Sequence, residues 1–298
     1  MAASNGAPLV VFDFDKTIVD CDSDNWVVDA LGATRRFDEL LRHLPWNHAI
    51  DAMMGELHAE GKAAEDIRAS LRAAPLSPHV VAAVKAARAL GCELRVLSDA
   101  NAFFIDTVLA HHGLAAYFSA TDTNPARLDA AGRLTIRPYH DFGDAAAADG
   151  HGCALPTCPP NMCKGKVMER ILLQEEAAAA AASRRRRAVV YLGDGRGDYC
   201  PSLKLREGDY VMPRAGHPVC DLIAASPPAA AVRSWADFED LGRVLLGIVN
   251  DEIARAAVTE HSAAAGGVVV PADCCRTVPL PVHQEAFIPQ QAAVRVPN

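Results

Sequence analysis

The stretch VVFDFDKTIVD, residues 10–20, runs three apolar residues into two aspartates spaced by one, Asp13 and Asp15, and then into Lys16 and Thr17. Taken over residues 8–14, it reads as a short, fully buried strand. A carboxylate is costly to bury without a partner. A core strand that ends on two of them therefore points to chemistry at its exit.

Two more segments have the same form. CELRVLSDAN, residues 92–101, is a strand ending in Ser98 and Asp99, and AVVYLGDG, residues 188–195, is a third ending in Asp194, with Asp198 close behind. Between them the period turns helical. Residues 24–71 hold helical segments broken at Gly32, Pro45 and Gly61. SPHVVAAVKAARALG, residues 77–91, opens with Ser77 as N-cap and Pro78 at the first position, and Gly91 stops it. Residues 101–113 and 166–183 are further helices, 126–137 a hairpin around Gly132, and 141–163 a loop rich in Asp, Gly, Pro and Cys.

Strands alternating with helices predict an α/β fold, an open parallel sheet of Rossmann-like type. Residues 21–75 interrupt the alternation and read as a helical cap inserted into a core made of 1–20 and 76–250. From 251 to 298 the chain is rich in Ala, Val and Pro without a clear period, and we read it as a flexible tail.

With 298 residues, half of them hydrophobic, the chain can bury a sizeable core. A net charge of -8 argues against nucleic acid or an acidic membrane as partner, and a phosphorylated substrate would need a metal or a few local cations. No apolar run reaches the roughly 18 residues of a membrane span, and no basic segment leads an apolar one as in a signal peptide. Nine cysteines at scattered spacings suit reduced thiols and a cytoplasmic location. Arg184–Arg187 fit the C-terminal dipole of the preceding helix better than a nuclear signal.

In open parallel sheets ligands bind outside the carboxyl ends of the strands, where Asp13, Asp15, Ser98, Asp99, Asp194 and Asp198 would gather. Lys164, opening a helix, can reach the same spot. Carboxylates packed together repel unless a cation sits among them, and a hard divalent ion such as Mg²⁺ suits an all-oxygen set. One aspartate can then attack phosphorus while its neighbour two residues on protonates the leaving oxygen and later activates water.

DFDKT at 13–17, SDAN at 98–101, KG at 164–165 and GDGRGD at 193–198 resemble the four motifs of the haloacid dehalogenase phosphatase superfamily. The longer strings FDFDKTIVDCDSDNWV, VLSDAN, CPPNMCKG and YLGDGRGDYCPS resemble its phosphoethanolamine/phosphocholine phosphatase family, over roughly residues 8–250. Within it they are most similar to the plant phosphate-starvation-induced branch, some of whose members are described as inorganic pyrophosphatases or thiamine phosphate phosphatases. The resemblance implies Asp13 as nucleophile and Asp15 as general acid and base. It implies Asp13, the backbone carbonyl of Asp15, and Asp194 as Mg²⁺ ligands, with Asp198 supporting. Ser98 and Lys164 match the phosphate-binding pair, Lys164 being preferred over Lys166. Asp24 and Asp99 match positions associated with the amino headgroup of the substrate.

Asp24 is equally read as a helix N-cap. Trp26 or Trp46 can offer a cation–π face or simply fill the cap core. Pyrophosphate would leave Asp24 and Asp99 without a cation and call on Arg196 instead. Gly197 stands where related phosphatases often carry Asn. Cys153, Cys158 and Cys163, with His140, His151 and Cys200, offer a zinc site, although their spacing is not the paired CxxC pattern. A non-catalytic binding protein on the same fold is the reading from a different class.

Overall fold

The computed structural model of the chain describes residues 6–142 and 151–265. In chain order the elements are β1 (Leu9–Phe12), α1 (Ser23–Ala30), α2 (Thr34–Leu41), α3 (Trp46–Ala59), α4 (Ala64–Arg72), α5 (Pro78–Ala89), β2 (Glu93–Asn101), α6 (Ala102–His111), β3 (Phe118–Asn124), β4 (Ala126–Leu128) and β5 (Leu134–Ile136). After these come α7 (Lys164–Ala181), β6 (Val189–Gly193), α8 (Tyr199–Ser202), β7 (Tyr210–Pro213), α9 (Pro218–Ala225), β8 (Ala231–Val232) and α10 (Phe238–Ala265).

Six strands form one parallel sheet in the order β3-β2-β1-β6-β7-β8. The order turns about β1, which pairs β2 on one side and β6 on the other. Its four residues explain why it is central. Val10 and Phe12 face a core shared with α5, α6 and α10, whereas Leu9 and Val11 face one built on α7 and α9. Alternate side chains of a strand point to opposite faces, so an all-apolar run needs helices on both. The crevice at a topological switch of this kind is where α/β sheets bind ligands.

Helices α1 to α4 lie between β1 and α5 in sequence, and their apolar residues, including Phe37, Ile50, Met53 and Leu71, continue the first core. Trp26 on α1 donates its indole N–H to the Ser70 carbonyl on α4 at 2.8 Å. The β4–β5 hairpin leaves the main sheet and packs on α3, where Asp51 accepts from the Ile136 N–H (2.8 Å) and from Arg133 (3.0 Å). Residues 126–137, expected within the core, thus stand against the helical block.

Two expectations need correction. Residues 251–265, expected in a tail, continue α10. Leu245, Ile248 and Val249 are buried, and Glu252 and Arg255 meet the Tyr210 hydroxyl on β7 at 2.7 Å each, which anchors the extension. Residues 266–298 of that expectation lie outside the described residues. The arginine run does more than meet a helix dipole: Arg184 and Arg187 pair with buried Glu175, and Arg186 with buried Asp209 (2.9 Å). Ser77 does cap α5, accepting the His79 N–H at 3.3 Å.

Candidate active site

β1 delivers Asp13 directly, since its N–H still bonds the Leu192 carbonyl of β6 at 2.9 Å. β2 carries Ser98 and Asp99 near its end, β6 leads into Asp194, and α7 opens on Lys164. The turn after Asp13 needs an uncommon backbone, with Lys16 at φ 54°. Such a residue persists only where its surroundings hold it. Arg214 does so: its Nη1 reaches the Lys16 carbonyl (2.8 Å) and Asp20 (2.9 Å), while its guanidinium lies over Trp235 and Phe238.

Lys164 is the hub. Its Nζ stands 2.9 Å from Asp13 Oδ1, 3.0 Å from Asp99 Oδ1 and 2.8 Å from Asp198 Oδ1. Burial works against its charge, yet Asp13, Asp198 and Asp99 outweigh that and hold the ammonium protonated. Burial also raises Asp13 well above the usual carboxylate range, with Asp198 adding to it and Lys164 only partly offsetting it. Burial would likewise raise Asp99, but Lys164 overrides this and holds it low.

Asp198 has no lone pair to spare. Oδ1 takes the Tyr191 hydroxyl (2.6 Å) and Lys164, and Oδ2 takes the N–H groups of Asp194 (2.9 Å) and Gly195 (2.8 Å). It braces the loop rather than offering a free ligand atom, in keeping with a supporting part. A Cβ on Gly193 would sit 2.5 Å from Asp198 Cγ, so only glycine allows the carboxylate this close.

Asp13, Asp194 and Asp198 present oxygens within 4.8 Å of one another. Asp13 Oδ1 makes no hydrogen bond beyond its ion pair. Asp194, raised by burial and Asp198, is held on its Oδ2 by His217 Nδ1 at 2.9 Å. An all-oxygen cluster of three buried carboxylates, whose negative charge exceeds the one ammonium beside them, fits a hard divalent cation, with Asp13 and Asp194 as the side chains able to hold it.

A second acidic wall lines the helical side. Asp15 accepts the Ser23 N–H at 3.0 Å, and burial, then Asp22, Asp24 and Asp13, raise its carboxyl well above the ordinary range. Such a group retains its proton, as a general acid must. The N-cap of α1 is Asp22, which accepts from the Asn25 N–H at 3.0 Å. Asp24 is therefore not the cap. It is buried, accepts the Trp46 indole N–H on Oδ2 at 2.7 Å, and leaves Oδ1 without a partner. Burial and Asp22 push it up to about 7.

That shift has a measurable sign. A carboxylate raised on folding favours the folded state below its unfolded value near 4 and loses that contribution as pH rises through about 7. Asp24→Asn should therefore stabilise the metal-free protein by on the order of 2–4 kcal/mol at about pH 8, with no gain at about pH 4. Urea unfolding in EDTA at both pH values reads this, and an equal effect at both would sink it.

Of the remaining expected residues, Ser98 is buried, its Oγ taking the Ala100 N–H at 3.3 Å. The lysine ringed by the carboxylates is Lys164, not Lys166. Arg196 is exposed, and its guanidinium makes no hydrogen bond or ion pair among the described residues. A Cβ on Gly197 would stand 4.0 Å from Asp99 Oδ2, so a side chain there would enter the same space. Neither Trp offers a free indole N–H: Trp26 ties two helices and Trp46 holds Asp24. Sequence reasoning missed His217, Tyr191 and Arg214, which sit outside every motif core or carry no distinguishing local pattern.

A family model described as Putative Phosphatase matches residues 8–249. Inorganic pyrophosphatase 2 of Arabidopsis thaliana is 49% identical over 84% of this chain and 86% of its own. A thiamine phosphate phosphatase-like protein of the same plant is 43% identical over 81% and 95%. The human phosphoethanolamine/phosphocholine phosphatase is 34% identical over 80% and 89%. Among solved structures, a phospho-aspartyl intermediate analogue of phosphoserine phosphatase superposes with a TM-score of 0.51 at 14% identity, over 80% of this chain and 98% of that one, a likeness of fold. No helix among the described residues is long and apolar enough to cross a membrane. On the extent of these matches, the chain belongs to the Putative Phosphatase family, phosphatases of the haloacid dehalogenase type.

Proposed function

We propose that this phosphatase uses Mg²⁺ to hydrolyse small phosphomonoesters whose leaving alcohol carries positive charge, phosphoethanolamine and phosphocholine foremost. The observation that carries the leaving-group half is Asp24, a carboxylate 6% exposed with one oxygen on Trp46 and the other unpaired. With Asp15 and Asp22 nearby it makes a wall that an ammonium would satisfy and a second phosphate would not.

In the reaction, the Asp13 carboxylate attacks phosphorus and the bond to the leaving oxygen breaks. Asp15 gives that oxygen its proton. Lys164, together with the Ser98 hydroxyl and the backbone N–H groups after Asp13, holds the phosphoryl oxygens. Water then attacks the aspartyl phosphate, Asp15 takes its proton, and inorganic phosphate leaves with Asp13 restored. Asp13, the Asp15 carbonyl and Asp194 would hold Mg²⁺, which would supply charge neutralisation for the transferring group. His217 and Asp198 keep Asp194 oriented. Helices α1 to α4 act as the cap that shuts out water, and Asp24 and Trp46 choose the alcohol from it. The described cysteines are all unpaired, which supports work in the cytoplasm.

Pyrophosphate is the second reading, favoured by relatives of that name at 49% identity and by the unpaired Arg196. Phosphate release from phosphoethanolamine, phosphocholine, thiamine monophosphate and pyrophosphate separates the two. The aminoalcohol esters should give the highest kcat/KM, and Asp24→Asn should lower theirs by roughly 10- to 100-fold, the worth of a charged contact. If pyrophosphate leads and Asp24→Asn leaves the order unchanged, the cation reading is wrong.

A further inference from the structure

Four sulfur atoms meet where α7 and α8 begin. Cys153 lies 3.6 Å from Cys158 and 3.8 Å from Cys200, and Cys163 lies 3.8 Å from Cys158 and 3.7 Å from Cys200. All four sulfurs fall within 4.8 Å of one another. A zinc–sulfur bond of about 2.3 Å in a regular tetrahedron sets sulfur atoms about 3.8 Å apart. The other described cysteines, Cys21, Cys92 and Cys220, have no such company.

We propose that Cys153, Cys158, Cys163 and Cys200 bind one Zn²⁺ ion as a closed tetrathiolate site, and that this ion fixes the starts of α7 and α8. Its ligands come from places the fold has reason to tie. Cys163 is the N-cap of α7 and directly precedes Lys164; Cys200 lies in α8, two residues past Asp198. The ion would hold those two segments together, and with them the 2.8 Å contact of Lys164 with Asp198.

The surroundings are built to match. The histidines are not ligands: His151 Nδ1 accepts the Cys153 N–H (3.1 Å) and His140 Nδ1 accepts the Cys163 N–H (3.3 Å). With Nδ1 accepting, His151 carries its proton on Nε2, which reaches the Pro159 carbonyl at 3.0 Å. Both rings thus shape the loop that carries the sulfurs. Gly165 leaves room for the cluster, since a Cβ there would stand 2.3 Å from Cys200 Sγ. Four thiolates on Zn²⁺ carry two net negative charges, and Lys166 and Lys204 line the same opening as Cys153 and Cys163. A closed site of four sulfurs has no open position, so the ion is structural and takes no part in phosphoryl transfer.

Metal analysis of the full chain, purified in reducing buffer without chelator, should find about one zinc per chain. Cys153→Ser and Cys158→Ser should each drop this below about a third, while Asp13→Asn keeps it. Because a cysteine variant can fail to fold, the wild-type chain grown on cobalt gives a second test. It should develop the intense visible absorption of tetrahedral cobalt thiolate, which Mg²⁺ does not displace. Zinc below about a tenth of an ion per chain with no cobalt spectrum overturns the proposal. So does a Cys153–Cys158 disulfide in the purified protein, or iron or copper in place of zinc.

Discussion

Asp13→Asn should lower kcat on every phosphate ester by about 10⁴-fold or more while leaving the protein folded and, without metal, more stable. The two halves have one cause. Asparagine copies the shape of the side chain but has no carboxylate to form an acyl phosphate. The same carboxylate is unwelcome where it stands: burial and Asp198 raise it well above its ordinary range even with Lys164 at 2.9 Å. Removing its charge relieves the metal-free fold, so the urea midpoint in EDTA should rise. Phosphate release and urea unfolding on one preparation check both. Retention of more than about a tenth of wild-type kcat would end the assignment of Asp13 as nucleophile.

The parts of this fold that were legible are those whose signal is local. β1, β2 and β6 are apolar runs with polar exits, and α5 announces itself with Ser77 as cap and Pro78 at its first position. What was missed lacked such a signal. β3, FSATDTN, is an edge strand whose last four residues are all polar, so it lacks an apolar run; β8 is two residues long. Residues 251–255 of α10 read as free because what holds them, Tyr210 on β7, lies some forty residues earlier.

The site divides in the same way. DFDKT, SDAN, KG and GDGRGD announce their residues, but DCDSD offers several aspartates spaced by two as caps for one helix. Only the extended backbone of Asp22, φ -86° and ψ 116°, decides between them and releases Asp24. His217 reaches Asp194 across 23 residues, and Cys200 joins Cys163 across 37, distances over which no periodicity speaks. Gly165 and Gly193 read as motif letters in the sequence. In the fold each is the absence of a Cβ where Cys200 or Asp198 must pass.

Lys164→Met should destabilise the metal-free protein by roughly 3–5 kcal/mol at about pH 8, since removing one partner of a buried ion pair leaves its charges stranded. Methionine keeps the unbranched shape of the lysine stem, so packing alone costs little. What is lost is the only ammonium within 3.0 Å of Asp13, Asp99 and Asp198 among the described residues. Asp99 is 41% exposed and can turn to water; Asp13 and Asp198, at 6% and 1%, cannot. The deficit should shrink as pH falls, because Asp13 is a raised carboxylate that takes a proton instead of holding an unpaired charge. Mg²⁺ should shrink it too, and by a separate route, since a divalent ion at Asp13 and Asp194 restores a countercharge without any proton. Turnover should not return with either, because neither restores the ammonium that meets the phosphoryl oxygens. Urea unfolding of variant and wild type at about pH 5 and about pH 8, with and without Mg²⁺, separates these contributions. A deficit below about 1 kcal/mol, or one indifferent to both pH and Mg²⁺, would mean that Lys164 does not hold the carboxylates together.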